Sequence, residues 1–175
     1  MNIVLIGYRG SGKSTVGERL ASRMQRRFVD TDDLIESEEG QITDIVTSHG
    51  WEYFRAMERR MIEGISKEDN LVIALGGGAV LDSDNIANME RNGVIVWLKA
   101  DREVLRKRMN HDPRTLASRP TLTGKGTMEE LEEIMDFRNP FYEKAATIQL
   151  DTSTLNVEEV VENILVAFKE KTGRA

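Results

Sequence analysis

Residues 3–16 read Ile-Val-Leu-Ile-Gly-Tyr-Arg-Gly-Ser-Gly-Lys-Ser-Thr-Val, an apolar run that passes directly into a glycine-rich segment. The part Gly7–Ser14 has the spacing G-x-x-x-x-G-K-[ST]. Glycines in such a segment let successive backbone N–H groups point inward at phosphate oxygens. The run Ile3–Ile6 has the composition of a buried strand, and Val16–Met24 has the period of an amphipathic helix. A strand, this loop and a helix in that order predict a phosphate-binding loop in an α/β protein.

The rest of the chain continues the alternation of short apolar runs and amphipathic helical stretches. The clearest helical pattern is Val157–Phe168, and Asn156 with Glu159 has the spacing of an N-terminal capping box. Alternating strands and helices predict βαβ units, with buried parallel strands covered on both faces. Ligands then bind beyond the carboxyl ends of the strands. The four further predicted strands are Arg27–Val29, Leu71–Leu75, Val94–Leu98 and Thr147–Leu150.

Length and composition limit the classes of protein that fit. The 175 residues predict one domain, residues 1–175. The absence of cysteine excludes disulfides, Cys-ligated zinc and thiol catalysis, and two histidines are too few for a His-based metal site. A net charge of −6 argues against nucleic-acid binding. The longest apolar runs are far shorter than the roughly 20 residues of a membrane span, and no signal peptide is visible. We expect a cytoplasmic monomer without a nucleic-acid or membrane partner.

The glycine-rich loop implies specific roles for its side chains. Lys13 is expected to reach the β- and γ-phosphates of a nucleotide, and the Ser14 hydroxyl is expected to ligate Mg²⁺. The alternative is a glycine turn that ends in Lys-Ser by chance. A regulatory GTPase is disfavoured because no Asn-Lys-x-Asp segment is present. The residues expected to bind the nucleotide are Gly10, Ser11, Gly12, Lys13, Ser14 and Thr15.

A cluster of carboxylates follows the second predicted strand. In Asp30-Thr31-Asp32-Asp33 we assign Asp30 to the Mg²⁺ shell. Asp32 is assigned to hold, and to deprotonate, the hydroxyl that accepts a phosphoryl group. The alternative is that one aspartate caps the helix that starts near Leu34.

Three later segments carry candidate groups for a second ligand. Arg55 and Glu58 share a helix face, with a surface ion pair as the alternative. Gly76–Gly78 follows a predicted strand and permits close backbone approach to a ligand, with a flexible turn as the alternative. Of these residues, Arg55, Gly77 and Gly78 could form a pocket with Arg138 for a small carboxylate that bears hydroxyls, because arginine binds carboxylates in bidentate fashion.

Residues His111–Thr127 form a long segment without periodicity that contains Arg119. Loops of this length inside a domain are usually functional or disordered. We weigh two interpretations of it, a mobile insertion and a lid that carries cations over an anionic ligand.

In order along the chain, these motifs resemble those of shikimate kinases over nearly the whole sequence. The phosphate loop alone is shared with many kinases, whereas the ordered set with its spacings is highly specific. The matching residues are Gly7–Ser14, Asp30-Thr31-Asp32, Phe54-Arg55-x-x-Glu58, Gly76-Gly77-Gly78, Arg119-Pro120 and Arg138-x-Pro140-x-Tyr142-Glu143.

The resemblance implies transfer of the γ-phosphoryl group of ATP to the 3-hydroxyl of shikimate, with Mg²⁺. It implies a three-layer α/β/α P-loop fold whose parallel sheet has the order 2-3-1-4-5. It also implies a substrate-binding segment at about residues 31–62 and a lid at about residues 110–126. By matching position, shikimate is held by Asp32, Arg55, Gly78 and Arg138. Lys13 and Arg119 bind the nucleotide and stabilise the transferred group, and Ser14 and Asp30 position Mg²⁺.

Two departures from the family pattern concern the rims of the site. Trp51 stands where the family often has glutamate, which alters either the pocket rim or only helix packing. Residues 151–154 lack the basic residue often found in the adenine loop, so Arg108 is the alternative cation. The competing functions are a kinase of another hydroxy acid such as gluconate, and a non-catalytic nucleotide-binding domain.

Overall fold

The computed structural model describes residues 1–111 and 131–173. Five parallel strands form one sheet in the order β2-β3-β1-β4-β5, which confirms the expected α/β fold and strand order. Each strand begins and ends within one residue of its predicted bounds. They are β1 Asn2–Ile6, β2 Arg27–Asp30, β3 Leu71–Ala74, β4 Gly93–Lys99 and β5 Ile148–Asp151.

Seven α-helices occur in the described residues. The predicted capping box of the last helix is confirmed, with Asn156 and Glu159 exchanging side chain to backbone hydrogen bonds. The third helix is interrupted at Gly50, whose φ of 83° and ψ of 170° are not helical. Among these residues no helix combines the length and apolar composition needed to cross a membrane. The helices are α1 Lys13–Met24, α2 Thr31–Glu39, α3 Ile42–Ile65, α4 Ser83–Glu90, α5 Arg102–Asn110, α6 Leu131–Ala145 and α7 Val157–Thr172, and a 3-10 turn covers Ala79–Leu81.

The central strand β1 shows how the sheet is covered on both faces. Ile3 and Leu5 pack with the apolar faces of α1 and α7, whereas Val4 and Ile6 pack with residues of α3, α4 and α6. Neighbouring side chains of a strand point to opposite faces, so a continuous apolar run is what a doubly covered strand requires. Burial of each such aliphatic side chain contributes about 1.5–3 kcal/mol, so the sheet is a rigid support for the loops at its end.

The expectation that all five strands are buried is wrong for β2 and β5. Arg27 of β2 and Gln149 of β5 are exposed, and the other residues of β2 are only half-buried. The physical reason is their place in the sheet, since β2 pairs only with β3 and β5 pairs only with β4. An edge strand is covered less completely than a central one.

The strand order brings three of the predicted motifs to one edge of the sheet. Strands β2, β3 and β1 are neighbours, and Asp30 pairs with Ala74, which in turn pairs with Leu5. The aspartate cluster, the three glycines and the phosphate loop follow these strands directly. The carboxyl ends of adjacent parallel strands therefore place all three motifs together. Of the expected lid, residues 112–126, including Arg119, lie outside the described residues.

Candidate active site

The phosphate loop has the backbone that its glycines predict. Gly10 and Gly12 have φ angles of 78° and 92°, a region that residues with a side chain rarely adopt. Lys13 starts α1, and its Nζ donates to the carbonyls of Gly7, at 2.9 Å, and Tyr8, at 3.1 Å. The ammonium group therefore lies over the loop, at the N-terminus of a helix whose dipole favours anions.

A cavity of about 800 Å³ lies between this loop and residues 152–160. Its volume fits a nucleotide, and pockets of this size are typical of small-molecule sites. The buried Ser11 hydroxyl at its wall has no hydrogen-bond partner among the described residues. Arg108 lines the same cavity and donates to the Thr152 side chain and carbonyl, so the alternative cation lies on the nucleotide side. The predicted nucleotide-binding residues Gly10, Ser11, Gly12, Lys13, Ser14 and Thr15 all line it.

Asp30 caps α2, as the alternative interpretation expected, and it also contacts Ser14, the other residue expected to position Mg²⁺. One carboxylate oxygen accepts from the backbone N–H of Asp32 at 3.0 Å and so caps α2. The other accepts from the Ser14 hydroxyl at 2.6 Å. The described residues contain no cluster of three or more His, Asp or Glu side chains that could hold a metal ion by itself. The Ser14 and Asp30 oxygens are hard ligands that fit Mg²⁺ when phosphate oxygens and water complete its shell.

Asp32 occupies the boundary between two cavities. Its side chain is 7% exposed, although the next residue of α2, Asp33, is exposed. Asp32 and Arg9 line the nucleotide cavity and also a second, smaller pocket. A buried carboxylate at this boundary can contact groups in both spaces.

The second pocket contains an ion pair whose carboxylate is buried. Arg55 Nη1 lies 2.6 Å from Glu58 Oε2, and Glu58 is only 1% exposed. The alternative of a surface ion pair is therefore wrong, because α3 packs this carboxylate against the carboxyl end of the sheet. Burial raises the pKa of Glu58 to about 7, although the Arg55 charge and hydrogen bond oppose the rise. The other oxygen, Oε1, has no hydrogen-bond partner in the described residues.

Arg138 of α6 lines the same pocket. It is 7% exposed, and its Nε has no hydrogen-bond partner in the described residues. A buried arginine with an unused donor is costly unless a ligand or another group satisfies it. The pocket therefore presents both an unused donor and, at Glu58, an unused acceptor.

The three glycines pass between these side chains. A Cβ on Gly76 would lie 2.6 Å from Asp32 Oδ1 and 2.8 Å from Glu58 Oε1. A Cβ on Gly78 would lie 2.7 Å from Arg55 Cζ. A side chain at Gly76 or Gly78 would collide with these charged groups, so the close approach to the backbone that the sequence predicts here requires glycine.

Trp51 takes part in the pocket and in packing. Its ring centroid lies 5.4 Å from Arg55 Cζ, and the Phe54 ring lies 5.1 Å from the same atom. Trp51 also packs edge-on against Phe54. The indole therefore holds the Arg55 guanidinium by a cation–π contact at the pocket rim.

The structure brings the predicted acceptor residues together in one pocket. Sequence reasoning missed the contributions of Tyr8, Arg9 and Ile42 to its wall, and no motif signal singles them out. It also gave no ligand-facing role to Glu58, whose signal was the helical spacing from Arg55. The predicted residues that line this pocket are Asp32, Arg55, Gly77, Gly78 and Arg138.

Comparison with known proteins identifies relatives over the full length. The shikimate kinase family model matches residues 9–169. The chain is 41% identical to the shikimate kinase of Syntrophus aciditrophicus, across 97% of this chain and 92% of that protein. It is 39% identical to the shikimate kinase of Symbiobacterium thermophilum, across 99% of each.

Solved structures give the same result. The shikimate kinase from Acinetobacter baumannii in complex with shikimate has a TM-score of 0.90 and 29% identity, with 99% of this chain and 95% of that chain covered. A gluconokinase from Sinorhizobium meliloti has a TM-score of 0.56 at 21% identity, with 98% and 93% covered, which shows a shared fold alone. By its family match and the identity of its relatives, this chain belongs to the shikimate kinase family.

Proposed function

We propose that this chain transfers the γ-phosphoryl group of ATP to the 3-hydroxyl of shikimate, and that the two cavities hold the two substrates. The observation that carries this proposal is the position of Asp32, which lines both the nucleotide cavity and the acceptor pocket. A phosphoryl group passes directly between two bound substrates, so the two sites must meet at the reacting hydroxyl.

The charges of the acceptor pocket suit a hydroxylated carboxylate. Arg55 and Arg138 supply two guanidinium groups, of which Arg138 retains an unused Nε donor. A carboxylate between them satisfies buried donors in bidentate fashion. Hydroxyl groups of the same ligand can donate to buried carboxylates such as Glu58, whose Oε1 has no partner in the described residues. One small ligand can therefore provide a hydrogen-bond partner for both Arg138 Nε and Glu58 Oε1.

In the transfer, the acceptor oxygen forms a bond to the γ-phosphorus as the bond from that phosphorus to the β–γ bridging oxygen breaks. We assign the proton of the hydroxyl to Asp32, which is buried beside the site of transfer. Lys13, now held by the carbonyls of Gly7 and Tyr8, neutralises charge on the transferred group. We propose the same task for Arg119, which lies outside the described residues.

Ser14 and Asp30 are proposed to hold Mg²⁺, since their side-chain oxygens lie 2.6 Å apart and both residues line the nucleotide cavity. When bound, the ion neutralises phosphate charge. The Asp30 carboxylate also caps α2, so it is kept in place by the backbone that follows. We propose in addition that the protein acts as a monomer in the cytoplasm.

A coupled assay of ADP release tests the activity. We expect turnover with ATP and shikimate, and turnover lower by orders of magnitude with gluconate or AMP as acceptor. Faster turnover with gluconate would assign the chain to the kinase of another hydroxy acid. Nucleotide binding without turnover on any acceptor would favour a non-catalytic domain.

A further inference from the structure

The backbone carbonyl groups of Gly76, Gly77 and Gly78 have different hydrogen-bond partners. The carbonyl of Gly76 accepts from Ala79 N–H at 3.0 Å, and the carbonyl of Gly78 accepts from Leu81 N–H at 3.1 Å. Both bonds belong to the turn that follows the glycines. They leave the carbonyl of Gly77 pointing elsewhere, without a backbone partner in the described residues.

That carbonyl is bound by a side chain from a distant element. The Tyr142 hydroxyl donates to Gly77 O at 2.6 Å, from α6, the helix that also carries Arg138. Gly76 N–H donates to the Thr31 hydroxyl at 2.9 Å. Within the part of the chain that the structure describes, two donors of the segment have no hydrogen-bond partner, the N–H groups of Gly77 and Gly78.

One of these donors is fixed by the Tyr142 hydrogen bond. The carbonyl of Gly77 and the N–H of Gly78 belong to the same planar trans peptide, so they point in opposite directions. Holding the carbonyl toward Tyr142 turns the Gly78 N–H away from it. Gly78 lies against the Arg55 guanidinium, and both line the acceptor pocket.

A peptide between two glycines needs such an anchor. Without Cβ atoms on either side, it can rotate between several orientations at little steric cost. The hydroxyl of Tyr142 is itself held firmly, because the ring is 1% exposed and stacks on Trp97 with centroids 5.6 Å apart. Burial also raises the pKa of Tyr142 to about 12, so the hydroxyl keeps its proton, although the Arg138 charge favours ionisation.

We infer that Tyr142 is a positioning residue for the acceptor: its hydroxyl fixes the Gly77–Gly78 peptide so that the Gly78 N–H is presented to the ligand beside Arg55. The inference rests on the proposed function for the identity of the ligand. Tyr142 contacts no reacting atom. Its effect is on the affinity of the acceptor pocket and not on the nucleotide cavity, which it does not line.

The substitution Tyr142→Phe removes only the hydroxyl. Loss of the anchor and of one oriented donor should raise the KM for shikimate about 10-fold, because a buried hydrogen bond in such a site is worth a factor of this size. The KM for ATP and the kcat at saturating shikimate should change less than about twofold. The lost interaction binds shikimate equally in the ground state and the transition state, so its loss raises the KM and leaves kcat unaltered. Tyr53→Phe, at an exposed ring on α3, is the matched control and should behave like the wild type.

Trp97→Phe separates positioning from general loosening. It disturbs the ring on which Tyr142 stacks but leaves the hydroxyl in place. We expect it to lower the melting temperature without raising the KM for shikimate. An unchanged KM in Tyr142→Phe, or an equal rise in Trp97→Phe, overturns the inference.

A measurement on the unmodified protein covers the case in which Tyr142→Phe does not fold. In a ¹⁵N-glycine NMR spectrum, added shikimate should shift the amide of Gly78 more than the amides of Gly10 and Gly12 in the phosphate loop. No shift at Gly78 overturns the inference. Failure of the wild type to phosphorylate shikimate contradicts the proposed function instead, whereas normal wild-type turnover with an unaltered Tyr142→Phe contradicts only the role of Tyr142.

Discussion

The nucleotide side and the acceptor side of this site are built in different ways. The nucleotide side depends on one contiguous segment, Gly7–Ser14, whose backbone angles and helix N-terminus create the anion site. The acceptor side takes side chains from α2, α3 and α6, and three of them, Asp32, Glu58 and Arg138, are buried charged groups. The first site is a local property of the chain, and the second exists only in the folded molecule.

This difference has energetic consequences. Backbone N–H groups in an exposed loop are hydrated when no ligand is bound, so leaving them without a protein partner costs little free energy. Buried charges lose hydration and are costly unless paired, and Arg138 and Glu58 each keep one unpaired atom in the described residues. We therefore expect acceptor-side substitutions to affect stability and binding together, and loop substitutions to affect turnover with little change in stability.

The largest effect is expected where the two sides meet. Asp32→Asn keeps the size of the side chain but removes the base, and proton transfer by a positioned group contributes about 10²–10⁴-fold, so kcat should fall by that order. Steady-state kinetics of ADP release measure it. Asp33→Asn, at the exposed neighbour on α2, is the control and should change kcat little. Equal falls in the two variants would mean that the acid cluster acts through its total charge.

A somewhat smaller effect is expected within the phosphate loop. Lys13→Met removes the ammonium that now lies on the carbonyls of Gly7 and Tyr8. Loss of one such group typically costs about 10²–10³ in kcat. The melting temperature should stay near that of the wild type, in contrast to acceptor-side variants. Lys67→Met, which removes an exposed lysine paired with Glu63, should leave kcat unaltered. Normal turnover in Lys13→Met would contradict the assignment of the loop.

The same contrast explains what the sequence could predict. The phosphate loop and β1 were predictable because backbone conformation depends on adjacent residues, and β1 begins only one residue before its predicted start. Asp30 both caps α2 and accepts from Ser14, whereas the sequence offered the helix cap only as an alternative to a role in the Mg²⁺ shell. Partial exposure of β2 and β5 was not predicted, since composition does not reveal which strands lie at the edges.

The acceptor side required tertiary information. Arg55 and Arg138 were chosen because they occur in family motifs, and only the packing of α3 and α6 shows that they line one pocket. The deep burial of Glu58 has no local signal, because its helix spacing from Arg55 equally fits an exposed ion pair. The hydrogen bond from Tyr142 to Gly77 depends on the docking of α6, which no short-range pattern specifies.

An intermediate effect is expected when the second arginine is changed with its charge retained. Arg138→Lys replaces a planar, bidentate donor by a point charge, so kcat/KM for shikimate should fall about 10- to 100-fold. Affinity for ATP should be nearly unaltered, because Arg138 does not line the nucleotide cavity. Separate calorimetric titrations of ATP and shikimate measure both. Loss of ATP affinity with intact shikimate affinity would place Arg138 on the nucleotide side.

The smallest effect concerns the pH dependence of stability, and its sign follows from Glu58. Burial raises the pKa of this carboxyl from the ordinary 4.5 to about 7, although the charge and hydrogen bond of Arg55 oppose the rise. The nearby Asp32 charge also raises this pKa, whereas the Arg138 charge lowers it. The folded protein therefore holds this proton more tightly than the unfolded chain does. The stability that Glu58 contributes is present below pH 4.5 and is lost as the pH rises to about 7.

Urea unfolding at pH 5 and pH 8 of the wild type and of Glu58→Gln isolates this contribution, because the neutral amide cannot titrate. We expect the free energy of unfolding of the wild type to decrease between these pH values by about 1–3 kcal/mol more than that of the variant. Asp82→Asn is a control of opposite sign. Partial burial tends to raise the pKa of Asp82, but the hydrogen bond and charge of Arg59, together with the backbone hydrogen bonds from Asp84 and Asn85, outweigh it, so the pKa is lowered. Its contribution is lost only as the pH falls below the ordinary 3.8, so this variant should follow the wild type from pH 5 to pH 8. Parallel behaviour of the wild type and Glu58→Gln would mean that Glu58 stays ionised in the fold, and that the ion pair with Arg55 outweighs the cost of burying it.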